Sequence, residues 1–546
     1  MKYELSNLII IDNYTGKNAD GSKVSCNDYS PSIDVAGSYT LKKRDDTSTK
    51  IPKQLFVNGQ GQTDLTLSNL DYGYSQIFSL NFTSNVSNGF LILDGNNRLK
   101  GDDFIPGIAV NSTGSLTVSG SGSLDVAGGL GCAGIGSGYN SSSTSNINIT
   151  GGTITANGGN ESAGIGGSYT SSSTLNIDIK GGTITANGGG GAGIGNGRKS
   201  SSKSNINITG GTITANGENG SAGIGSSENS SSALNINITG GTITANGGYE
   251  SAGIGSGRNS SSTSNINIKD GTITAKGGNG SAGIGSSYNS SSALNIDIKG
   301  GNINANGGNE SAGIGSGKNS SSKSDINISG GTITANGGNG CAGIGSSENF
   351  SSTSNINISG GTINANGGNQ SAGIGDGRNS TSKADINISG GTITANGGSE
   401  SAGIGSSYNS SSALNINITG GTINANGGNG SAGIGSSENF SSTLNIDIKG
   451  GNINANGGNE GAGIGSGRNS SSKSNINITG GTIKAIGGGR GAGIGSGADA
   501  SIGNISISGN AYITAYSNCA GNGSNGGAGI GSGAYGSYGK IEISEN

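Results

Sequence analysis

From about Gly128 to the C-terminus the apolar residues come in pairs split by one polar residue, and three such pairs fill each stretch of thirty positions. In the copy that starts at Ser251 the pairs are Ala252 and Ile254, Ile266 and Ile268, and Ile273 and Ala275. Alternation of this kind predicts short, half-buried strands. The intervening Ser-Gly-Arg-Asn-Ser-Ser-Ser, Lys-Asp-Gly and Lys-Gly-Gly-Asn-Gly segments are rich in residues that make turns and tolerate positive φ. The marker Ala-Gly-Ile-Gly places its isoleucine at 135, 165, 194, 224, 254, 284, 314, 344, 374, 404, 434, 464, 494 and 530, a period of thirty with one deletion and one late insertion.

A fixed period of this size means a stacked array. The expected fold is all-β, a right-handed parallel β-helix: a three-sided solenoid with about 30 residues per coil. Equivalent strands then stack at roughly 4.8 Å, with both apolar residues of each pair facing inward. On this reading Ile266→Asp is severe, because it buries a charge between two coils.

The chain divides into an N-terminal cap or entry segment (1–50), irregular first coils (51–129) and the regular array (130–546). Strands are expected at Leu5 to Ile11, Ser32 to Ala36 and Ser38 to Lys43, and then at Gln54–Val57, Asp64–Leu67, Ser79–Thr83, Phe90–Leu93, Gly107–Val110, Ser115–Val118 and Ser123–Val126. Phe56, Phe78, Phe82, Phe90 and Phe104, five of the seven phenylalanines, predict the bulkiest core at this end.

Composition narrows the function. Glycine fills 116 of 546 positions, yet a formal net charge of only −4 and strictly periodic isoleucines favour order over disorder. No basic cluster supplies the cationic footprint of a nucleic-acid binder, and no run approaches the length of a membrane-spanning helix. No apolar leader is visible at the N-terminus either. With no histidine, the Ser-His-Asp and Cys-His catalytic arrangements and histidine metal ligands are all excluded. Cys26, Cys132, Cys341 and Cys519 have no metal-site spacing. Cys132 and Cys341 replace the serine before the marker and read as buried or half-buried substitutions without a redox role.

Two outward ladders run along the array, Thr-Ile-Thr and Asn-Ile-Asn, and the preferred reading is that they hydrogen-bond along the stack. A flat surface for a repetitive ligand is the functional alternative. Four residues after the marker isoleucine, Arg198, Arg258, Lys318, Arg378 and Arg468 alternate with Glu228, Tyr288, Glu348, Tyr408 and Glu438. Glu250, Glu310 and Glu460 stand eight residues before Arg258, Lys318 and Arg468, which reads as charge matching for stacking. Asp102-Asp103 resembles the Gly-Asp-Asp of polygalacturonase-type hydrolases, with Arg98-Leu99-Lys100 nearby, but the companion Asn-Thr-Asp and Gly-His-Gly motifs are missing. For sugar stacking the candidates are Tyr139, Tyr169, Tyr249, Tyr288 and Tyr408; the competing reading has them cover neighbouring loops.

Gly-Gly-Thr-Ile-Thr-Ala-Asn-Gly-Gly and Ala-Gly-Ile-Gly-Ser-Gly resemble the repeats of bacterial cell-surface right-handed β-helix proteins, adhesins among them. The segment Leu91 to Gly101, with Gly107-Ile-Ala-Val-Asn and Ser115-Leu-Thr-Val-Ser-Gly, is similar to the entry region of clostridial-type β-helix carbohydrate-binding proteins. That resemblance implies an extracellular or surface location and, for some members, polysaccharide and calcium binding. The resulting expectation is a non-catalytic structural or adhesive solenoid that binds polysaccharide, with no catalytic residues, no metal site and no cofactor beyond the calcium the resemblance implies. A pectinase-like enzyme and a self-assembling filament or phage-type fibre subunit are the alternatives. The strand pattern Lys540-Ile-Glu-Ile-Ser-Glu-Asn546 presents an edge that recruits further strands unless covered; self-association through it is one alternative, and protection by the charges of Lys540, Glu542 and Glu545 is another.

Overall fold

A computed structural model describes residues 7–10, 25–27, 30–34, 36–42, 53–71, 77–111, 114–351, 353–381, 383–472, 474–519 and 526–544. Leu5, Ser6, Ile11, Val35, Lys43, Glu545 and Asn546 of the expected strands lie outside the described residues. Two compact units result, one of residues 1–249 and 254–264, the other of residues 250–253 and 265–546. Each is a parallel β-solenoid of coils of roughly thirty residues, and no helix occurs among the described residues.

In the first unit the three sides of the coil stack in register. Ile135, Ile165, Ile194, Ile224 and Ile254 pair in parallel on the marker side. Ile147, Ile177, Ile206 and Ile236 do so on the second side, and Ile154, Ile184, Ile213 and Ile243 on the third. The deleted residue is absorbed in a glycine corner, where the register shifts after Asn157 so that Asn160 faces Gly189. Earlier in the chain, Asn7–Ile10 pairs in parallel with Tyr39–Lys42, and Gly37–Lys42 with the strand Gly61–Ser68. The strand Asn96–Lys100, which alternation did not reveal, pairs with Ser123–Ala127. In the second unit the same three files run from Ile284 to Ile530, from Ile296 to Ile541 and from Ile273 to Ile513.

Inward residues are where alternation places them. Ala342, Ile344, Ile356, Ile358, Ile363 and Ala365 are all buried, as is Ile266. The second marker glycine has φ near +140° throughout, for example Gly225, Gly285 and Gly435. Its hydrogen atoms face the carbonyl oxygen of the next coil.

Two expectations need correcting. The serine-rich segment is a packed side rather than an open loop: Ser260, Ser262 and Ser264 are buried while Ser261 is exposed. Many inward hydroxyls donate to the preceding coil, as Ser320 Oγ does to Ser290 O at 3.0 Å, so this side is a polar spine, although Ser264 Oγ and Ser324 Oγ at its end are buried without a partner. The phenylalanines also divide differently. Phe78 and Phe82 are core residues, but Phe56 and Phe90 are half-buried on the outer parity and Phe104 is exposed. Gly89 holds the inward place next to Phe90, and a Cβ there would lie 2.7 Å from the Phe82 ring. Phe350 and Phe440 occupy serine positions of the spine and are fully buried.

Asp376 stands in the spine where the neighbouring coils carry Ser346 and Ser406, and it too is fully buried. Ser410 Oγ donates to its Oδ2 at 3.0 Å. Keeping a carboxylate out of water costs more than keeping a hydroxyl there. Asp376→Ser is therefore expected to stabilise the second unit by about 1–3 kcal/mol at pH 7, read as a shift in the denaturant midpoint.

Candidate functional site

The outward asparagines hydrogen-bond along the stack. Asn205 Nδ2 donates to Asn176 Oδ1 at 2.8 Å and Asn235 Nδ2 to Asn205 Oδ1 at 2.9 Å. A further file, following Thr-Ile-Thr-Ala, was not singled out from sequence. Here Asn336, Asn366, Asn396, Asn426 and Asn456 each donate to the previous coil at 2.8 Å. Asp178, Asp325, Asp385 and Asp447 sit within such ladders and accept from the asparagine of the next coil. The carboxylates that interrupt the pattern are thus hydrogen-bonded ladder members.

Four of the five tyrosine candidates share one column, four residues after the marker isoleucine, with the alternating charges. A second column lies four residues before that isoleucine, at left-handed backbone: Gly131, Gly220, Gly280, Gly340 and Gly430 alternate there with Glu161, Glu250, Glu310, Glu400 and Glu460. Where the first column carries a bulky group, glycine often gives it room. A Cβ on Gly280 would lie 3.0 Å from the Tyr288 ring, and one on Gly131 would lie 2.7 Å from Tyr139.

In the first unit, Arg198 pairs with Glu161 and, at 2.8 Å, with Glu228, which also binds Arg258. In the second, Lys318 reaches Glu310 at 2.6 Å and Arg378 reaches Glu348 at 2.6 Å and Gln370 at 3.0 Å. Arg468 joins Glu438 to Glu460, at 2.7 Å from the latter, and Glu460 also binds Arg490 at 2.7 Å. The Arg468 guanidinium, helped by Arg490, holds the Glu460 carboxyl below the usual range. The Glu310–Lys318 and Glu460–Arg468 matches are those the spacing implied.

At the start of the array the columns carry aromatics. Phe104 takes the left-handed position, with φ 62°, and is 53% exposed. Its ring meets Tyr139 edge-on, with centroids 5.0 Å apart, and Tyr139 lies 6.0 Å from Tyr169. Lys199 Nζ lies 5.9 Å from the Tyr169 centroid, and Leu130 is exposed. The structure therefore brings Tyr139 and Tyr169 together and adds Phe104, an exposed ring where the sequence predicts a core residue. Tyr249 stands outside the column and is exposed, whereas Tyr288 and Tyr408 are half-buried among the charges.

Two residues of the motif that resembles a hydrolase, Asp102 and Arg98, form ion pairs. Asp102 contacts Lys53 at 2.5 Å, which holds its carboxyl below the usual range. Arg98 bridges Asp71 at 3.1 Å and Asp125 at 3.2 Å. Cys132 and Cys341 are buried: desolvation pushes the Cys132 thiol up to about 11, and that of Cys341 well up. Cys341 Sγ accepts from Glu348 N, the role Ser431 Oγ plays for Glu438 N. Among the described residues no group of three or more cysteines and carboxylates could hold a metal ion.

No curated protein and no solved structure matches the chain. A beta helix repeat family matches at residues 147–169, 177–198, 206–228, 236–258, 266–288, 296–318, 326–348, 356–378, 386–408, 416–438, 446–468 and 476–498. Each match runs from the second side of one coil, through its third side, to the charged column of the next coil, and together they take in just over half of the sequence. With its coils repeating in the phase of those matches, the chain belongs to the beta helix repeat family.

Proposed function

We propose that this protein is a non-catalytic, surface-exposed solenoid that holds polysaccharide against the aromatic group at the start of its regular array. The observation that carries the reading is Phe104, an exposed ring on a left-handed backbone, in contact with Tyr139, which in turn lies beside Tyr169. A bulky residue in that region of φ is strained, and a strained position is a reason to look for function. Aromatic faces pack on the C–H faces of pyranose rings while the tyrosine hydroxyls stay wet. The coil spacing of roughly 4.8 Å sets successive rings at intervals comparable to one sugar unit. Lys199 beside Tyr169 supports a preference for acidic chains.

Affinity electrophoresis in gels containing acidic or neutral polysaccharides tests this. Retardation of the wild type is expected, strongest in an acidic gel, with the Phe104→Ala/Tyr139→Ala pair weakening it about tenfold or more and Tyr249→Ala leaving it unchanged. Equal retardation of the wild type and the double variant, or none in any gel, would overturn the proposal.

A further inference from the structure

Five residues after the marker isoleucine, each coil of the array turns through left-handed backbone, with φ between 52° at Asn140 and 57° at Tyr535. The residue there is asparagine in most coils, with Thr170, Lys199, Asp499 and Tyr535 as the departures. Asparagine and aspartate enter this region of φ readily, whereas a bulky ring is strained in it. Tyr535 is nonetheless 74% exposed, so little packing offsets that strain. Asn439, Asn469 and Asp499 are exposed as well, which makes the ring's exposure a property of the column.

Two charged groups stand beside the ring. Arg490 Cζ lies 5.5 Å from the Tyr535 centroid. The backbone fixes this corner, since Ala534 N donates to Arg490 O at 2.8 Å and Asp499 N donates to Ala534 O at 2.9 Å. Among the described residues the guanidinium makes one hydrogen bond, from Nη1 to Glu460 Oε1 at 2.7 Å. Its Nη2 lies 3.7 Å from Asp499 Oδ2, too far to bond, and the Asp499 side chain is 45% exposed. A set of donors and an acceptor thus flank an aromatic face without being committed to each other.

We propose that Tyr535, Arg490 and Asp499 form a second saccharide site, one that takes a neutral oligosaccharide chain. A pyranose presents C–H faces that pack on an aromatic ring and hydroxyls that both donate and accept. Arginine only donates and a carboxylate only accepts, so this corner supplies one partner of each kind. Charge sets the ligand class. The guanidinium is already balanced by Glu460 and faced by Asp499, and these carboxylates repel an acidic chain. The balance is the reverse of that at Tyr169, where Lys199 Nζ stands 5.9 Å from the ring. The site shares no residue with the aromatic group at Phe104.

Saturation-transfer NMR on the full chain tests this, with cellohexaose, mannohexaose, maltohexaose and hexagalacturonate as probes and with Phe104→Ala/Tyr139→Ala in place so that only this corner is read. At least one neutral hexaose is expected to receive saturation, and hexagalacturonate little. Tyr535→Asn, which restores the residue of the column, should cut the neutral signal about fivefold or more while raising the melting temperature, because the strain is relieved. Tyr535→Phe should keep the signal, and Asp499→Asn should admit hexagalacturonate. Three results overturn the proposal: no saturation of any neutral hexaose, a signal that survives Tyr535→Asn, or a lower melting temperature for Tyr535→Asn, which would make the ring a cover for its own corner. Retardation by the Phe104 group is scored in the wild type, so either site can fail alone.

Discussion

Ile356→Asp is expected to remove protection from hydrogen exchange throughout residues 326–388 while the first unit keeps its own. Ile356 is fully buried and pairs in register with Ile326 on one side and Ile386 on the other. A carboxylate there has isoleucines above and below it and no charge to meet, and neutralising it by protonation still leaves a polar group in an apolar file. The loss is expected to exceed about 4 kcal/mol, in the range reached only by buried charges and comparable defects. Because each coil depends on its neighbours, the damage should spread from the site as a local opening rather than as one global transition. Native-state exchange read by mass spectrometry checks this, and full protection at 326–388 would show the file to be more tolerant than its packing implies.

The second large effect comes from adding a single methyl group. Gly375 has φ +138°, and a Cβ built on it would lie 2.0 Å from the carbonyl oxygen of Gly405. The obstacle is backbone held in the parallel ladder, so it cannot swing aside as a side chain would. Gly375→Ala therefore combines a strained backbone, worth about 1–3 kcal/mol, with overpacking of about the same size. The expected total is about 3–5 kcal/mol, read from the urea midpoint of the second unit. Ser371→Ala, one residue before the marker, provides the small-effect control.

The isoleucine period made the fold readable because one inward set repeats often enough to exclude other phases. Ala252, Ile254, Ile266, Ile268, Ile273 and Ala275 are all buried, as their spacing required. The serine side escaped because alternating Ser with Ser carries no hydrophobic contrast, so Ser260 and Ser261 look alike in sequence although one is buried and the other exposed. Phe104 was misplaced for the opposite reason: a large apolar side chain suggests a core, while its place before Ile108 matches the left-handed column of Gly131 and Glu161. In sequence that column shows itself only through its glutamates, eight residues before Arg258, Lys318 and Arg468. The Arg468–Glu460 pair could be inferred from spacing, but the Arg490–Glu460 pair depends on side-chain direction, and no repeat period encodes that.

The asparagine file after Thr-Ile-Thr-Ala also bears on how this protein ages. Each of these asparagines precedes a glycine, as in Asn336-Gly337, the dipeptide most prone to lose ammonia when the glycine nitrogen attacks the side-chain carbonyl. In the stack the Gly337 N–H is committed to Asn366 O at 2.9 Å, and the Asn336 amide is held at both ends, donating to Asn306 and accepting from Asn366. The attack geometry is out of reach until the coil opens. Once one amide becomes a carboxylate, it can still accept from the coil that follows but can no longer donate to the coil before. Chemical damage would then record past openings of the stack, one coil at a time.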